Sequence, residues 1–294
     1  MNGGNEPHSV EGASIAVVTV AYRSNEVLPS FLDSVTAASA EPVHCVIVDN
    51  RPGDDSLAAE LAAQHAADYV ALPSNPGYGG AINAGVATLP STVRWVLVSN
   101  PDVVLNPGVI DALVAVGDSD ERIATIGPAV LNPDGTVYPS ARRVPSVRTG
   151  VGHALFVNLW TGNPWTKRYR HDAHEEVAPR DTGWLSGACF LVRRDVFDAI
   201  GGFDDGYFMY FEDVDLGYRL GRAGWRNRYE PDVSVTHVGG HTAAPDSAVM
   251  IRAHHRSARR FITRKYAGWY LWPVRAALSV GLAVRSGLLQ RRAH

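Results

Sequence analysis

The stretch Trp95-Val96-Leu97-Val98-Ser99-Asn100-Pro101-Asp102 decides the fold class of this chain. Its first half is apolar without alternation, which is the pattern of a strand buried on both faces. Pro101 cannot donate to a sheet ladder and restricts the residue before it, so the strand stops there. Asp102 is therefore presented in the loop that follows.

The same signature recurs upstream in IAVVTVAY (15–22), VHCVIVDN (43–50) and DYVAL (68–72), separated by helical stretches around 25–39 and 56–66. Strands alternating with helices predict an α/β fold, a mostly parallel central sheet flanked by helices. Ligands in such sheets sit beyond the carboxyl ends of the strands. That rule gathers Thr19, Ala21, Tyr22, Asp49, Asn50, Asn100 and Asp102 around one prospective site. From about residue 127 to 183 Pro, Gly and Arg dominate, and long loops are expected. Regular structure is expected again in WLSGACFLVRR (184–194), in a short helix near 195–200, in a helix running to about Ala223 with Gly224 as its stop, and in VSVTHV (233–238).

Composition narrows the function classes. The 294 residues suffice for one enlarged catalytic domain, read as 14–245 between a leader (1–13) and a basic tail (246–294). The net charge of −3 hides an asymmetry, because no acidic residue follows Asp246 while arginines recur to the end. Arginines mixed with Trp269, Tyr270, Trp272 and Leu278 predict an amphipathic helical tail on an anionic membrane surface. The rest of the chain is acidic and carries no nucleic-acid motif, which argues against nucleic acid as the partner. A terminal helix simply packed on the core is the alternative. Trp269–Leu289 is interrupted by Pro273, Arg275 and Arg285, so a spanning helix is not expected. Cys45 and Cys189 sit in apolar runs and read as free thiols in a reducing compartment, favouring the cytoplasmic side. The leader lacks the parts of a secretory signal.

Three motifs carry chemistry. Asp102 offers a hard oxygen suited to Mg²⁺ or Mn²⁺, although Asn-Pro-Asp is also ordinary turn chemistry. In YFEDVDLGYRL, Glu212, Asp213 and Asp215 open a helix, where acids also serve plain helix-start electrostatics. The aromatic run Tyr207, Phe208, Tyr210 and Phe211 before them predicts a partly desolvated pocket in which Asp213 can act as a general base. His237 ends VSVTHV, where it is either structural or a second metal ligand. The loop Asn75-Pro76-Gly77-Tyr78-Gly79-Gly80-Ala81-Ile82-Asn83 runs into a helix, so its glycines either admit a diphosphate or make a tight turn. It lacks the GxGxxG pattern, and no GxxxxGK[ST] or HExxH occurs.

Taken in order, VTVAY, VIVDN, NPGYGGAIN, SNPD, WLSGACFLVRR, GGFDDGYFMYFEDVDLGYRLGRAGW and VTHVGGH resemble the family 2 inverting glycosyltransferases of GT-A fold, over roughly residues 14 to 245. YPSARRVPS, NPWTKRYR and the basic tail resemble, within that family, actinobacterial rhamnosyltransferases that place rhamnose from dTDP-rhamnose onto polyprenyl-diphosphate-linked N-acetylglucosamine in cell-wall linker synthesis. The resemblance implies that Thr19, Ala21, Tyr22, Asp49, Gly77, Asn83, Asn100 and Asp102 bind the donor, and that Asp102 and His237 hold Mg²⁺ or Mn²⁺. It implies Asp213 as the base, with Trp184, Ser186, Gly187, Glu212 and Asp215 beside the sugar and acceptor. Asn100 stands where the family more often has the first acid of Asp-x-Asp, which removes an anionic ligand. The implied setting is the inner face of the cell membrane, with homo-oligomers admissible. Another nucleotide sugar, a sugar nucleotidyltransferase and a silent membrane scaffold are the alternatives. For a nucleotidyltransferase, Thr19 to Asn25 offers the triphosphate only Arg23.

Overall fold

In the computed structural model the described residues are 12–53, 55–146, 177–239, 248–278 and 280. Most of the leader, the NPWTKRYR stretch, Gly240-His241 and the tail beyond 280 lie outside them. The chain begins β1 (Ile15–Ala21), α1 (Leu28–Ala37), β2 (Val43–Asp49), α2 (Ala58–Gln64), β3 (Asp68–Ala71), α3 (Tyr78–Thr88) and β4 (Trp95–Ser99). It continues β5 (Val103–Leu105), α4 (Val109–Asp118), β6 (Ile123–Leu131), β7 (Val137–Tyr138), β8 (Ala141–Arg142), β9 (Arg180–Thr182), β10 (Trp184–Leu185), β11 (Cys189–Arg193) and α5 (Arg194–Ala199). It closes with α6 (Glu212–Arg222), β12 (Arg226–His237), α7 (Ala248–Lys265) and a 3₁₀ turn at Trp269–Leu271.

One 10-stranded sheet organises the molecule, in the order β3-β2-β1-β4-β11-β6-β12-β5, with β7 on β6 and β9 on β12. β3, β2, β1 and β4 are parallel neighbours, and β12 is parallel to β6. β11 runs antiparallel between β4 and β6.

Every residue of β1 is buried because helices cover both faces. Ile15 and Val17 point into one cluster with Phe31 and Leu32 of α1 and Ile110 of α4. Ala16, Val18 and Val20 point into the other with Ile82 of α3, Phe197 of α5 and Leu216 and Leu220 of α6. A smaller cluster of Tyr207, Val214 and Phe261 seats α7 on α6.

Residues 127–131, expected to begin a long loop, are instead the second half of the buried strand β6. Gly127 makes room there for Leu185, whose side chain would have to shift to admit a Cβ. Pro128 is tolerated because the pairing of β6 with β12 shifts between Glu230 and Ser234, where no continuous ladder of donors is needed.

Candidate active site

At the carboxyl ends of β1 and β2 lies a cavity of about 430 Å³ lined by Ala21, Arg23, Ser24, Asn25, Asp49 and Arg51, among others. Asp49 forms part of its floor and is 1 % exposed. Its carboxylate accepts hydrogen bonds from the Arg51 N–H (2.9 Å), the Ser56 hydroxyl (2.6 Å) and the Tyr69 hydroxyl (3.1 Å). Tyr22 is exposed beside Arg23, whose guanidinium lies 5.8 Å from its ring centre. Thr19, two residues back in β1, is wholly buried and its Oγ1 has no hydrogen-bond partner.

β4 ends at Ser99, and the chain turns through Asn100-Pro101-Asp102 into β5. The Asn100 N–H donates to Ala188 O (2.9 Å), and β5 pairs with the end of β12 so that Asp102 and His237 meet. Asp102 Oδ1 lies 3.0 Å from His237 Nε2, with the two side chains 11 % and 25 % exposed. Adjacent donors on an octahedral ion, at bond lengths of about 2.1 Å, lie roughly 3 Å apart, so the pair fits two positions on one cation. Among the described residues no group of three or more His, Cys, Asp or Glu could hold a metal. Substrate phosphates and water would have to supply the remaining ligands, the usual arrangement for Mg²⁺.

Glu212 and Asp213 begin α6. Asp213 Oδ2 accepts the Gly187 N–H (3.1 Å), and Oδ1 accepts the Val214 N–H (2.8 Å). Burial raises the affinity of Asp213 for its proton, while those N–H groups and the charge of Arg142 pull it back. Glu212 has less relief. Burial, then the neighbouring Asp213 charge, pushes its carboxyl up to about 8, and Oε2 has no hydrogen-bond partner. Burial and the Asp213 charge thus both favour the protonated form of Glu212.

Gly187 joins the two halves. Its carbonyl accepts the Tyr78 hydroxyl (2.6 Å), its N–H meets Asp213, and the next residue, Ala188, holds Asn100. A Cβ on Gly187 would press on Tyr78 at 3.2 Å. Tyr78 is held far above the ordinary tyrosine range by burial and by the nearby Glu212, Cys189, Asp213 and Asp102, so it keeps the proton that it donates to Gly187 O. The same phenol thus lies within the field of both Asp102 and Asp213, so the loop after β4 and the start of α6 both approach Tyr78.

The backbone leading into α6 is strained. Tyr210 (φ 67°) and Phe211 (φ 68°) are consecutive left-handed residues, each costing about 1–2 kcal/mol. α7 holds them in place: Ser257 Oγ donates to Met209 O (2.8 Å), and the His254 ring stacks edge-on against Tyr210 and Phe211. Behind the helix start, Asp215 is 0 % exposed and bonds the Tyr207 hydroxyl (3.3 Å), Arg219 Nε (2.7 Å) and Arg264 Nε (3.0 Å). The glycine-rich loop serves this region too. Gly77 (φ 90°) passes so close to the Phe208 carbonyl that a side chain would collide with it. Asn83 spends its amide on Phe203 and Asp205. Ser186 Oγ accepts the Ala188 N–H (3.3 Å), and Trp184 Nε1 donates to Arg143 O (3.2 Å).

The site thus comprises a cavity at the ends of β1 and β2, the Asp102–His237 pair and the buried carboxylate of Asp213. The sequence profile described as glycosyltransferase-like family 2 matches residues 12–259. The chain belongs to that family. It is 42 % identical over 288 residues to the N-acetylglucosaminyl-diphospho-decaprenol L-rhamnosyltransferase of Mycobacterium tuberculosis, covering 94 % of this chain and 93 % of the relative. It is 26 % identical over 260 residues to the rhamnosyltransferase WbbL of Escherichia coli K12, covering 85 % and 93 %. Among solved structures, GalNAc-T7, crystallised with UDP, GalNAc and Mn²⁺, superposes with a TM-score of 0.58 at 16 % identity, over 86 % of this chain and 48 % of that one. Staphylococcus aureus TarS gives 0.54 at 13 % identity, over 85 % and 39 %. These two likenesses establish the GT-A fold.

Tyr78, Arg142 and Arg264 join the site through contacts that no sequence motif announces. Tyr78 stands in the NPGYGGAIN motif, whose glycines carry the stronger local signal. Arg142 reaches the field of Asp213 from β8, with Trp184 beside it at 6.0 Å. Nothing in the spacing pairs it with a residue 71 positions later.

Proposed function

We propose that this glycosyltransferase moves a rhamnosyl residue from dTDP-rhamnose to polyprenyl-diphosphate-linked N-acetylglucosamine with inversion at the anomeric carbon. The observation that supports the reaction is the Gly187 junction: Gly187 N–H holds the buried Asp213, and the adjoining Ala188 carbonyl holds Asn100, two residues before the Asp102 that meets His237. The rhamnosyl group and the acceptor are carried over from the 42 % identical relative, which this chain matches nearly end to end, and dTDP as the carrier follows from the family resemblance.

The steps follow from the chain's own groups. The nucleoside occupies the cavity at Ala21 and Asp49, which leaves the diphosphate directed toward Asp102. When bound, Mg²⁺ or Mn²⁺ held by Asp102 and His237 would offset negative charge on the departing diphosphate. Asp213 takes the proton of the acceptor hydroxyl as its oxygen bonds to the anomeric carbon, and the carbon–oxygen bond to dTDP breaks with its electron pair. Gly187 and Val214 N–H groups fix the carboxylate's angle. Protonated Glu212 adds no second charge beside it.

Such an acceptor lies in a membrane. No helix among the described residues is long and apolar enough to cross one. Trp269, Tyr270 and Trp272 are 84 %, 66 % and 61 % exposed just beyond α7, which suits peripheral contact at the inner face. The test is a panel of nucleotide sugars with a short-chain polyprenyl-diphosphate N-acetylglucosamine, read by mass spectrometry. Added deoxyhexose mass is expected, and transfer of a different sugar would overturn the donor assignment.

A further inference from the structure

α7 carries a stripe of cations that the transfer chemistry does not use. Arg256, Arg259, Arg260, Thr263 and Arg264 line a shallow groove of about 480 Å³ along one side of the helix, next to the face that packs on the domain. Their spacing puts them on adjoining turns, so the guanidinium groups project together. Arg260 is held by Asp204 at 2.6 Å, and Arg264 by Asp204 and Asp215. Thr263 donates back to Arg259 O (2.9 Å) and so shapes the groove rather than serving a ligand. Arg256 and Arg259 are exposed and make no ion pair among the described residues. Two arginines with no carboxylate between them hold a full double charge in water, at a cost in mutual repulsion that an anion would relieve.

Place decides which anion. At the start of the stripe, α7 touches the catalytic segment through His254 on Phe211 and Ser257 on Met209. Beyond it stand the exposed Trp269, Tyr270 and Trp272. An acceptor with its sugar at Asp213 and its chain in a membrane at the aromatic end must carry its diphosphate between the two. The nucleotide cavity, at the ends of β1 and β2, is lined by none of these residues.

We infer that the groove on α7 binds the diphosphate of the lipid-linked acceptor, with Arg256 and Arg259 as its free ligands; this rests on the acceptor reading above. Planar guanidinium pairs match phosphate oxygens two at a time, and Lys would not replace them equally. The groove gives acceptors that keep the diphosphate an advantage that neutral glycosides lack.

The test is Arg256→Gln/Arg259→Gln, which leaves the Arg260 and Arg264 contacts with Asp204 and Asp215 intact. With farnesyl-diphosphate N-acetylglucosamine in neutral detergent, KM for the acceptor should rise roughly tenfold or more while kcat and donor KM hold. With the same sugar on an uncharged alkyl chain, variant and wild type should agree. An unchanged KM for the diphosphate acceptor, or an equal rise for both acceptors, overturns the inference. Loss of binding to acceptor-free phosphatidylglycerol vesicles with acceptor KM intact assigns the groove to headgroups and also overturns it. Calorimetry with farnesyl diphosphate separates this inference from the acceptor reading. Should wild type transfer no sugar, weaker binding by the variant sustains the groove while the transfer reading falls, and equal binding removes the groove.

Discussion

Replacing Glu212 by Gln tests the electrostatics of the cleft without touching its shape. Glu212 is 7 % exposed, and its carboxyl is pushed from 4.5 to about 8 by burial and by Asp213. Each tenfold change in proton affinity is worth about 1.4 kcal/mol, so the penalty of ionising it in the fold is capped near 5 kcal/mol. Local relaxation and water entry reduce this to about 2–3 kcal/mol. The sign follows from the raised value. Below about pH 4.5 the group is protonated folded and unfolded, and no penalty exists. As pH rises toward 8 the unfolded chain releases the proton and the folded one keeps it, so stability falls, and above 8 the loss is complete. Glu212→Gln cannot ionise. Urea unfolding at pH 5, 7 and 9 should therefore show the variant gaining on wild type as pH rises, by about 2–3 kcal/mol at pH 9. Because Glu212 is already protonated at neutral pH, turnover at pH 7 should stay within a few-fold of wild type. A stability difference that does not change between pH 5 and 9 would refute the reasoning.

Other outcomes follow from the same geometry. Excess chelator should suppress transfer and Mg²⁺ or Mn²⁺ should restore it, with Asp102→Asn or His237→Ala requiring more metal for half-maximal rate; undiminished activity in chelator would contradict this. Arg142→Gln removes a charge that favours ionised Asp213, so the acid limb of the kcat/KM profile should move to higher pH, and a fixed limb would rule out that coupling. Cys189 is buried with its thiol pushed up to about 12 by desolvation. Iodoacetamide at pH 8 should label it only after unfolding, and labelling of the native protein would count against the fold at β11.

How much was legible depended on which interactions were local. β1, β2 and β4 stand within a residue or two of their expected limits because uninterrupted apolar runs have one physical solution, a strand covered on both faces. α6 ends at Arg222 beside Gly224 (φ 91°), as its stop signal implied. β12 begins at Arg226 rather than 233, because its polar first half is satisfied from afar. Arg226 pairs with Asp181 and Asp120, and Asn227 with Thr125. The antiparallel course of β11 left no mark on its sequence, since strand direction is set by connections. The chemistry of Asp102, Asp213 and His237 could be named from motifs, but not the Gly187 junction. It is built largely from backbone groups, and one of its contacts, Tyr78 with Gly187, spans 109 residues.

The central claim is that Asp213 removes the acceptor's proton. Its most direct measurement compares wild type and Asp213→Asn in single-turnover transfer from labelled dTDP-rhamnose, with donor affinity measured in parallel. The predicted result is unchanged donor binding with transfer slowed by about 10² to 10⁴. Transfer by the variant at the wild-type rate would contradict the claim.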